Sequence, residues 1–483
     1  MEIQELKELL SGDAKKLVDK IISLAPEIPE YVFNIQPEKH RVVNDLTYRP
    51  WRDVDVATGV LDAQGNMGYR TEKRDVHRIP STTQKIIVDW SVRMALSGGI
   101  DRDYGIRDGV ATDEVMAAML DRTWEDNKLD YVCQKIDRLK KSYTQCIAIW
   151  YSVPAEEGFW DGISTTSKFK MRLSVFSPED GSLAIPIYDQ YNDMITCARK
   201  YTLKIADKEV VKLDLHLSDR IITYTVGEEV DPVTVATKYG KANFVFHGTN
   251  RVVYADVLPK IERVEEVDSD TADENQISAF PILAAIGDIK ASAGGGTKNT
   301  RKTFQLEGQN ADLKYVEAKG SQQSAKDERE HLRRDIYDET NTPQISMEQI
   351  KGSSNIPGVA IEMMFLPATN QAKSDQQGDL GMEWQRHFNF LKPAMAVINI
   401  AVKPSVSMPV KPKFKIELPR NLTEEYQRIV QLVGAGLMSV ETAVKRLGFT
   451  DNIFEEMERI EAEVSKRDAD AKAKQQENPL IEK

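Results

Sequence analysis

Residues 324–339 read SAKDEREHLRRDIYDE, a stretch that is charged along nearly its whole length. Ser324 is a residue type that caps helices, Asp327 stands at the capping-box position, and acids alternate with bases four residues apart. These features predict a helix. Leu332 and Ile336 are nearly its only apolar residues, so a domain core of its own could not stabilise it. We expect either a solvated arm or a helix that packs sideways against copies of itself.

The composition is that of a folded, multidomain protein. At 483 residues the chain is too long for one compact core, and 41% hydrophobic with 29% charged residues is typical of a soluble protein. No apolar run approaches the roughly 20 residues that a membrane-spanning helix needs. The N-terminus, MEIQELKELLSG, has no signal-peptide core. We therefore expect a cytoplasmic protein with no membrane contact.

The net charge of −12 limits the kinds of partner. Proteins that bind nucleic acid tightly neutralise its phosphates with basic residues, so we do not expect tight DNA binding by the whole surface, whereas contact with DNA that moves past the protein is compatible with this charge. Cys133, Cys146 and Cys197 have no metal-ligand spacing, and an odd number of cysteines fits free thiols in a reducing compartment.

The hydrophobic periodicity of the first half changes from helical to strand-like. Met116, Met119, Leu120 and Thr123 recur at helical spacing, which predicts core packing. Residues 169–177, FKMRLSVFS, alternate with a period of two, and strand-like segments continue to residue 257. We expect an antiparallel meander with one face packed on the preceding helices, and hence an α+β fold.

The second half is again helical, with breaks. Residues 257–287 are polar and acid-rich, residues 292–302 (SAGGGTKNTRK) are flexible and basic, and Pro367 is predicted to interrupt or kink the helix that follows. Gly434 and Gly436 are predicted to end a helix at a hinge, after which Ser439 caps the next.

Motifs for catalysis, cofactors and metals are missing from the sequence. GGGTK at residues 294–298 lacks the residue order of a phosphate-binding P-loop, and there is no G-x-S-x-G. We therefore predict no catalytic residue, no cofactor and no metal site. The histidines are scattered, with no metal-binding motif, and are expected to be satisfied core or surface residues: His40, His77, His216, His247, His331 and His387.

Four stretches, taken in order, resemble the portal proteins of tailed bacteriophages, the family that forms the ring at the capsid vertex. Their order and spacing carry the resemblance, which spans most of the chain from Trp124 to Glu463. The stretches are 124–151 (WEDNKLDYVCQKIDRLKKSYTQCIAIWY), 256–287 (DVLPKIERVEEVDSDTADENQISAFPILAAIG), 332–365 (LRRDIYDETNTPQIS…SNIPGVAIEMMF) and 418–463 (LPRNLTEEYQRIVQLVGAGLMSVETAVKRLGFTDNIFEEMERIEAE).

The resemblance implies a portal fold with wing, stem, clip and crown regions. In this sequence they correspond to a wing of helices and β-meander at 1–255, a first stem helix region at 256–287, a small α/β clip at 288–323, a second stem helix at 324–342, a tunnel loop at 343–358, a long kinked helix and wing return at 359–417, an α-helical crown at 418–466, and a disordered tail at 467–483.

The resemblance also implies a function without catalysis: a homo-oligomeric ring, usually a dodecamer, through which double-stranded DNA enters during packaging and leaves during ejection. Further implied partners are the terminase motor, the major capsid and scaffolding proteins, and tail adaptor proteins. The location implied is the portal vertex of the virion, after assembly in the host cytoplasm.

Three groups of residues are implied as contact sites. They are a DNA-channel loop (Ile350, Lys351, Gly352, Ser353, Ser354, Asn355, Ile356, Pro357), stem contacts between subunits (Arg329, Arg333, Arg334, Asp335), and a docking surface in the clip (Lys298, Arg301, Lys302).

Two other classes of protein remain open at this point. One is a multidomain α+β enzyme whose site the sequence does not mark, and the other is a different ring-forming connector or scaffolding protein. Electron microscopy of the purified protein separates them, because only the ring-forming classes give closed particles.

Overall fold

The computed structural model describes residues 3–61, 67–164, 166–205, 207–227, 231–278, 282–291, 304–316, 321–344, 362–417, 422–450 and 452–477. The chain divides into two compact units, one formed by Met1–Gln344 with Pro367–Glu417 and the other by Ile345–Leu366 with Leu418–Lys483.

Strands and helices occur in separate runs along much of the chain, as expected for an α+β fold. In chain order they are α1 (Ile3–Ser11), α2 (Ala14–Ser23), α3 (Arg41–Asn44), β1 (Arg52–Leu61), β2 (Met67–Arg74), α4 (Thr83–Leu96), β3 (Ile100–Tyr104), α5 (Ala111–Asp126), α6 (Leu129–Tyr143), β4 (Gln145–Pro154), β5 (Phe169–Phe176), β6 (Leu183–Tyr188), β7 (Met194–Ile205), β8 (Lys208–His216), β9 (Arg220–Thr225), β10 (Val233–Ala236), β11 (Phe244–Gly248), α7 (Leu258–Ser278), β12 (Ile282–Ala291), β13 (Phe304–Val316), α8 (Ser321–Glu339), α9 (Leu366–Gln377), α10 (Asp379–Ile398), β14 (Val410–Phe414), α11 (Leu422–Gly434), α12 (Val440–Leu447) and α13 (Ile453–Glu477).

The first unit contains the predicted meander. Strands β6 to β10 form a five-stranded antiparallel sheet in sequential order. Ile185 and Leu213 on its inner face pack against Leu17 and Ile21 of α2. The period-two pattern therefore does mark strands with one buried face, and the helices that cover the face do precede it in the chain.

A second sheet and a helical core complete this unit. Strands β11, β4 and β5 form a three-stranded antiparallel sheet. Beside it, Trp124 of α5 contacts Trp384 and Phe388 of α10, with ring centroids 5.4 and 6.0 Å apart. Strand β14 returns to pair with β3, which joins Phe414 to Ile100 across most of the chain length.

Some boundaries differ from those predicted. Helix α7 ends at Ser278, earlier than residue 287, and residues 282–291 form a strand of the β12–β13 hairpin. The sequence has Pro281 three positions later, and a proline disfavours continuation of a helix because it removes a helical hydrogen bond and clashes with the preceding turn. Helix α8 begins at Ser321, so Ser324 lies inside the helix and does not cap it.

The long helix predicted after residue 359 is divided twice. Pro367 stands in the first turn of α9, and Gly378 then separates α9 from α10. The second break was not predicted. Pro393, by contrast, lies within α10.

The second unit contains α11, α12 and α13. Helix α11 ends at Gly434, and Gly436 adopts φ +71°. The Leu437 N–H bonds the Leu432 carbonyl at 3.0 Å, which is the Schellman arrangement that a glycine at this position allows. Ser439 then caps α12 by accepting from the Thr442 N–H at 3.2 Å, so the predicted hinge is confirmed. Helix α13 continues to Glu477, beyond residue 467 where a disordered tail was predicted.

Candidate functional site

Helix α7 has two opposite faces, each held by a different segment of the chain. Glu265, Ser269 and Asp273 recur every four residues and therefore lie on one side of the helix. Lys260 and Arg263, three residues apart, lie on the other side and pair with Glu339 and Glu328 of α8. The first side is bound by residues 40–49 and 77–81, which we call the N-terminal clasp, and the second by α8.

The N-terminal clasp binds α7 through buried polar contacts. Both ring nitrogens of His40 face acceptors, Glu265 Oε1 at 2.6 Å and the Asn34 carbonyl at 2.6 Å. The Ser81 N–H donates to the same Glu265 oxygen at 2.8 Å. The His40 and Glu265 side chains are 2% and 1% exposed. Water therefore cannot replace these bonds when they break.

Asp273 is the second anchor of the clasp. It accepts from Arg49 Nη2 at 2.6 Å, from the His77 N–H at 3.0 Å, and lies 2.7 Å from His77 Nδ1. Burial alone would raise the pKa of Asp273, but the hydrogen bonds from His77 and the charge of Arg49 outweigh it, so the pKa is lowered. Asp273 is thus held as a carboxylate between two donors.

The β1–β2 hairpin begins and ends at this anchor, because Arg49 precedes β1 and His77 follows β2. Direct antiparallel pairs share a face of a hairpin. One face therefore carries Asp53 with Lys73 and Asp55 with Thr71, and the other carries the pair Arg52 with Arg74. No described side chain on either strand is buried.

Helix α8 packs on the opposite side of α7. Arg263 Nε donates to Glu328 Oε1 at 2.8 Å, Arg329 forms an ion pair with Asp268 with Nε 2.7 Å from Oδ1, and Ile336 is 1% exposed. The expectation that α8 has no partner in its own chain is therefore wrong. The reason is that α7 supplies ionic partners, which an apolar pattern does not report.

The predicted stem residues divide between two sides of α8. Arg329 faces α7, as does Asp335, whose carboxylate is 3.7 Å from Lys260 Nζ. Arg334, five positions after Arg329, is exposed on the side of α8 away from α7. Arg333 is also exposed but lies nearer α7: burial raises the pKa of Asp268, and the charges of Arg329 and Arg333 oppose that rise. Within the described part of the chain, neither Arg333 nor Arg334 forms an ion pair.

The other predicted contact sites lie outside the described residues. These are the channel loop (Ile350, Lys351, Gly352, Ser353, Ser354, Asn355, Ile356, Pro357) and the clip residues Lys298, Arg301 and Lys302. Among the described residues, no cluster of histidine, cysteine, aspartate and glutamate side chains could hold a metal ion. No described helix is long and apolar enough to span a membrane.

A buried chain of hydrogen bonds crosses the helical core, and the sequence did not reveal it. Trp150 Nε1 lies 2.9 Å from His387 Nδ1, His387 Nε2 lies 3.0 Å from His247 Nε2, His247 Nδ1 lies 2.9 Å from Glu383 Oε2, and Lys140 Nζ lies 2.7 Å from Glu383 Oε1. All five residues are buried.

The indole fixes the direction of this chain, since its N–H can only donate. His387 Nδ1 must accept, so neutral His387 donates from Nε2 to His247, and His247 donates from Nδ1 to Glu383. Burial, together with the neighbouring His247, holds the pKa of His387 well below its usual value. Burial would raise the pKa of Glu383, but His247 and Lys140 outweigh it and the pKa is lowered. The ordinary satisfied-core interpretation of His247 and His387 is confirmed.

A cleft of about 480 Å³ lies beside this series of buried hydrogen bonds, with Lys140 in its lining. Of its lining residues, Lys141 lies 2.9 Å from Asp137 and 3.1 Å from Asp375. Burial would lower the pKa of Lys141, but the two carboxylates raise it. Lys140 is held by Glu383. Both lysines in the cleft are therefore already neutralised by carboxylates and offer little to a phosphate.

Comparison with known proteins identifies one family. The family model described as "Phage portal protein, SPP1 Gp6-like" matches residues 39–469. No curated protein matches the chain. Among solved structures, the chain is similar to one in "Virion of native gene transfer agent (GTA) particle", with 12% identity, TM-score 0.35, and coverage of 77% of this chain and 89% of that chain. A chain in "Neck of empty GTA particle computed with C6 symmetry" has 12% identity, TM-score 0.36, and coverage of 77% and 90%.

Proposed function

This chain belongs to the SPP1 Gp6-like family of phage portal proteins, and on that premise we propose that it forms a closed ring at a capsid vertex through which double-stranded DNA passes. The observation that carries the proposal is the family match over residues 39–469, a range that includes α7, α8, the five-stranded sheet and the three-stranded sheet. In this proposal the protein is a conduit, and the energy for DNA movement comes from a motor on another chain.

The stem of the proposed ring is built from α7 and α8. Ion pairs such as Arg263–Glu328 and Arg329–Asp268 hold the two helices together within one copy. Arg333 and Arg334 then remain exposed on α8, where a neighbouring copy would meet them. We assign these two arginines to contact between copies, and Arg329 and Asp335 to the support of α8 within a copy.

The charge of the chain suits DNA that slides. Each copy carries a net charge of −12, so a ring of copies repels phosphate along most of its surface. A basic lining would instead bind the duplex and slow it. We propose that the loop at residues 350–357, which has Lys351 as its single charge, approaches the DNA.

Further contacts of the ring are assigned by the same family relationship. The basic segment with Lys298, Arg301 and Lys302 is proposed to dock the packaging motor and, later, tail adaptors. The proposed number of copies is twelve, and capsid and scaffolding proteins are the proposed surroundings of the ring in the particle.

Microscopy of the purified full-length protein tests the proposal. We expect negative-stain images to show closed rings with an axial hole, and mass photometry to give one multiple of the 54.6 kDa chain. The measurement is repeated over a range of salt concentrations, because exposed ion pairs weaken with ionic strength. A monomer under every condition would overturn the proposal.

A further inference from the structure

The β1–β2 hairpin lacks the support that such an element needs. A two-stranded hairpin is marginally stable in water when nothing covers it. Here the described side chains of both strands are exposed or half-buried, and Tyr69 is 67% exposed. The hairpin nevertheless has a fixed root, since Arg49 and His77 on either side of it both bind Asp273. Because its root is fixed and its strands are not covered, the hairpin is suited to bind a surface outside its own chain, and we call it an arm.

The position of the root indicates which surface the arm meets. Asp273 lies on the side of α7 opposite to α8, so the clasp, α7 and α8 follow one another in that order across the stem. In a closed ring of identical copies, one flank of each copy meets the opposite flank of the next. The flank of the next copy that faces the hairpin is then the outer side of α8. This step rests on the proposed ring.

The two surfaces carry complementary charges. Arg334 and Asp338 on the outer side of α8, and Arg333 at its edge nearer Asp268, are exposed and form no ion pair among the described residues. One face of the hairpin presents Asp53 and Asp55 next to Lys73. The acids match the arginines and Lys73 matches Asp338. Unlike Asp53 and Asp55, Arg52 and Arg74 on the opposite face would repel the arginines of α8.

The hairpin is also long enough. Strand β1 has 10 residues, which at about 3.3 Å each span roughly 33 Å. A helix with its side chains is only about 10–12 Å wide, so the arm can cross the neighbouring α8 completely. Tyr69 lies on the face of Asp55, because its register places it two positions from Thr71. An exposed tyrosine of this kind is typical of an interface anchor.

We propose that the face of the β1–β2 hairpin that bears Asp53, Asp55 and Tyr69 docks on the outer side of α8 of the next copy, where it binds Arg333 and Arg334. The hairpin is then an arm by which each subunit holds its neighbour, and the clasp on α7 fixes the arm in place.

A charge exchange tests the docking. Arg333→Asp with Arg334→Asp, and separately Asp53→Arg with Asp55→Arg, are each expected to raise the half-dissociation concentration of the ring about tenfold in mass photometry. The two pairs combined are expected to bring it back to within about threefold of the wild type. As the matched control, Arg52→Asp with Arg74→Asp, on the other face of the same hairpin, should change it less than twofold.

Disulfide formation by a pair of introduced cysteines tests the docking in a second way that does not depend on the stability of the ring. Asp53→Cys with Arg334→Cys should form disulfides between copies, seen as a ladder of oligomers on a non-reducing gel, whereas Arg52→Cys with Arg334→Cys should not. The native cysteines are buried and burial raises the pKa of the Cys133 thiol to about 12, so they do not compete.

The outcomes separate the docking from the ring itself. Wild-type rings with no ladder from the Asp53 pair, with equal ladders from both pairs, or with no recovery on charge exchange overturn the docking alone. Absence of wild-type rings overturns the proposed function, and the docking with it.

Discussion

Asp273 of α7 and Arg49 of the N-terminal clasp form an ion pair of 2.6 Å in which the side chains are only 8% and 10% exposed. The two residues are 224 positions apart in the chain. Their contact ties the segment before the β1–β2 hairpin to the stem helix, and Asp273 is one of two buried carboxylates, with Glu265, that hold the clasp on that helix.

Replacement of Arg49 should therefore loosen the clasp. We expect Arg49→Ala to lower the free energy of unfolding by about 3 kcal/mol, because Asp273 would be left as a buried charge without its cation. Chemical denaturation followed by circular dichroism measures this loss. Arg52→Ala, a nearby arginine that is exposed, should cost less than about 0.5 kcal/mol. Equal losses in the two variants would contradict the role of Arg49.

The buried histidine chain predicts a loss of stability in acid. Burial lowers the pKa of His387 in the folded protein, so below about pH 6.5 the unfolded chain binds more protons than the folded one. The free energy of unfolding should then fall as the pH drops, by up to about 1.4 kcal/mol per pH unit for this group. Denaturation curves between pH 7.5 and 5 measure the slope.

The variant His387→Gln isolates this effect. It should be less stable than the wild type at pH 7.5 by about 1–3 kcal/mol, since Trp150 or His247 loses its partner. Because glutamine does not titrate, the difference from the wild type should shrink toward pH 5. His331→Gln, whose side chain is 71% exposed, is the matched control and should follow the wild-type curve. Parallel curves for His387→Gln and the wild type would show that this histidine is not the titrating group.

Two neighbouring glycines in the second unit should respond to alanine in opposite directions. Gly436 has φ +71°, a conformation that costs an L-residue about 1–2 kcal/mol, so Gly436→Ala should weaken the turn between α11 and α12. Gly434 is the last residue of α11, and Gly434→Ala should strengthen the helix by up to about 1 kcal/mol. The rates of hydrogen exchange at the α11 and α12 amides of the full-length protein measure both changes in local stability. The same sign for both would contradict the assigned turn.

Deletion of residues 351–357 tests the proposed channel loop. We expect rings to form normally, because small polar residues contribute little to burial between copies, while the amount of DNA in assembled particles falls. Quantitative PCR of nuclease-protected DNA measures the second effect, and negative-stain images measure the first. Replacing the same residues by a Gly-Ser linker of equal length controls for chain connectivity. Loss of rings in the deletion would show that the loop is a subunit contact.

Local patterns in the sequence predicted local structure well. The stripe of Met116, Met119 and Leu120 is buried in α5, the period-two segments are strands, and Ser439 caps α12. Each of these depends on residues within a few positions of one another, which is the range over which periodicity and capping act.

The contacts of α7 with α8 and with the clasp could not be predicted from such local patterns. The pairing of α8 with α7, and of the clasp with the opposite face of α7, joins charged residues far apart in the chain, and a charge run looks the same whether it is solvated or paired. For the same reason the sequence predicted His387 only as a satisfied core or surface residue and not that it bonds Trp150 and His247. The loop and clip residues stay predictions, because they lie outside the described residues.

The long sequence separations in the buried hydrogen-bond chain bear on how the protein is made. Lys140 lies 243 positions before Glu383, and Trp150 lies 237 positions before His387. While the ribosome is still producing the chain, the early helices and strands contain polar groups with no partner until α10 emerges. The first unit therefore completes its fold late in translation. A polypeptide released before α10 is made lacks Glu383 and His387 and cannot form the buried core of this unit.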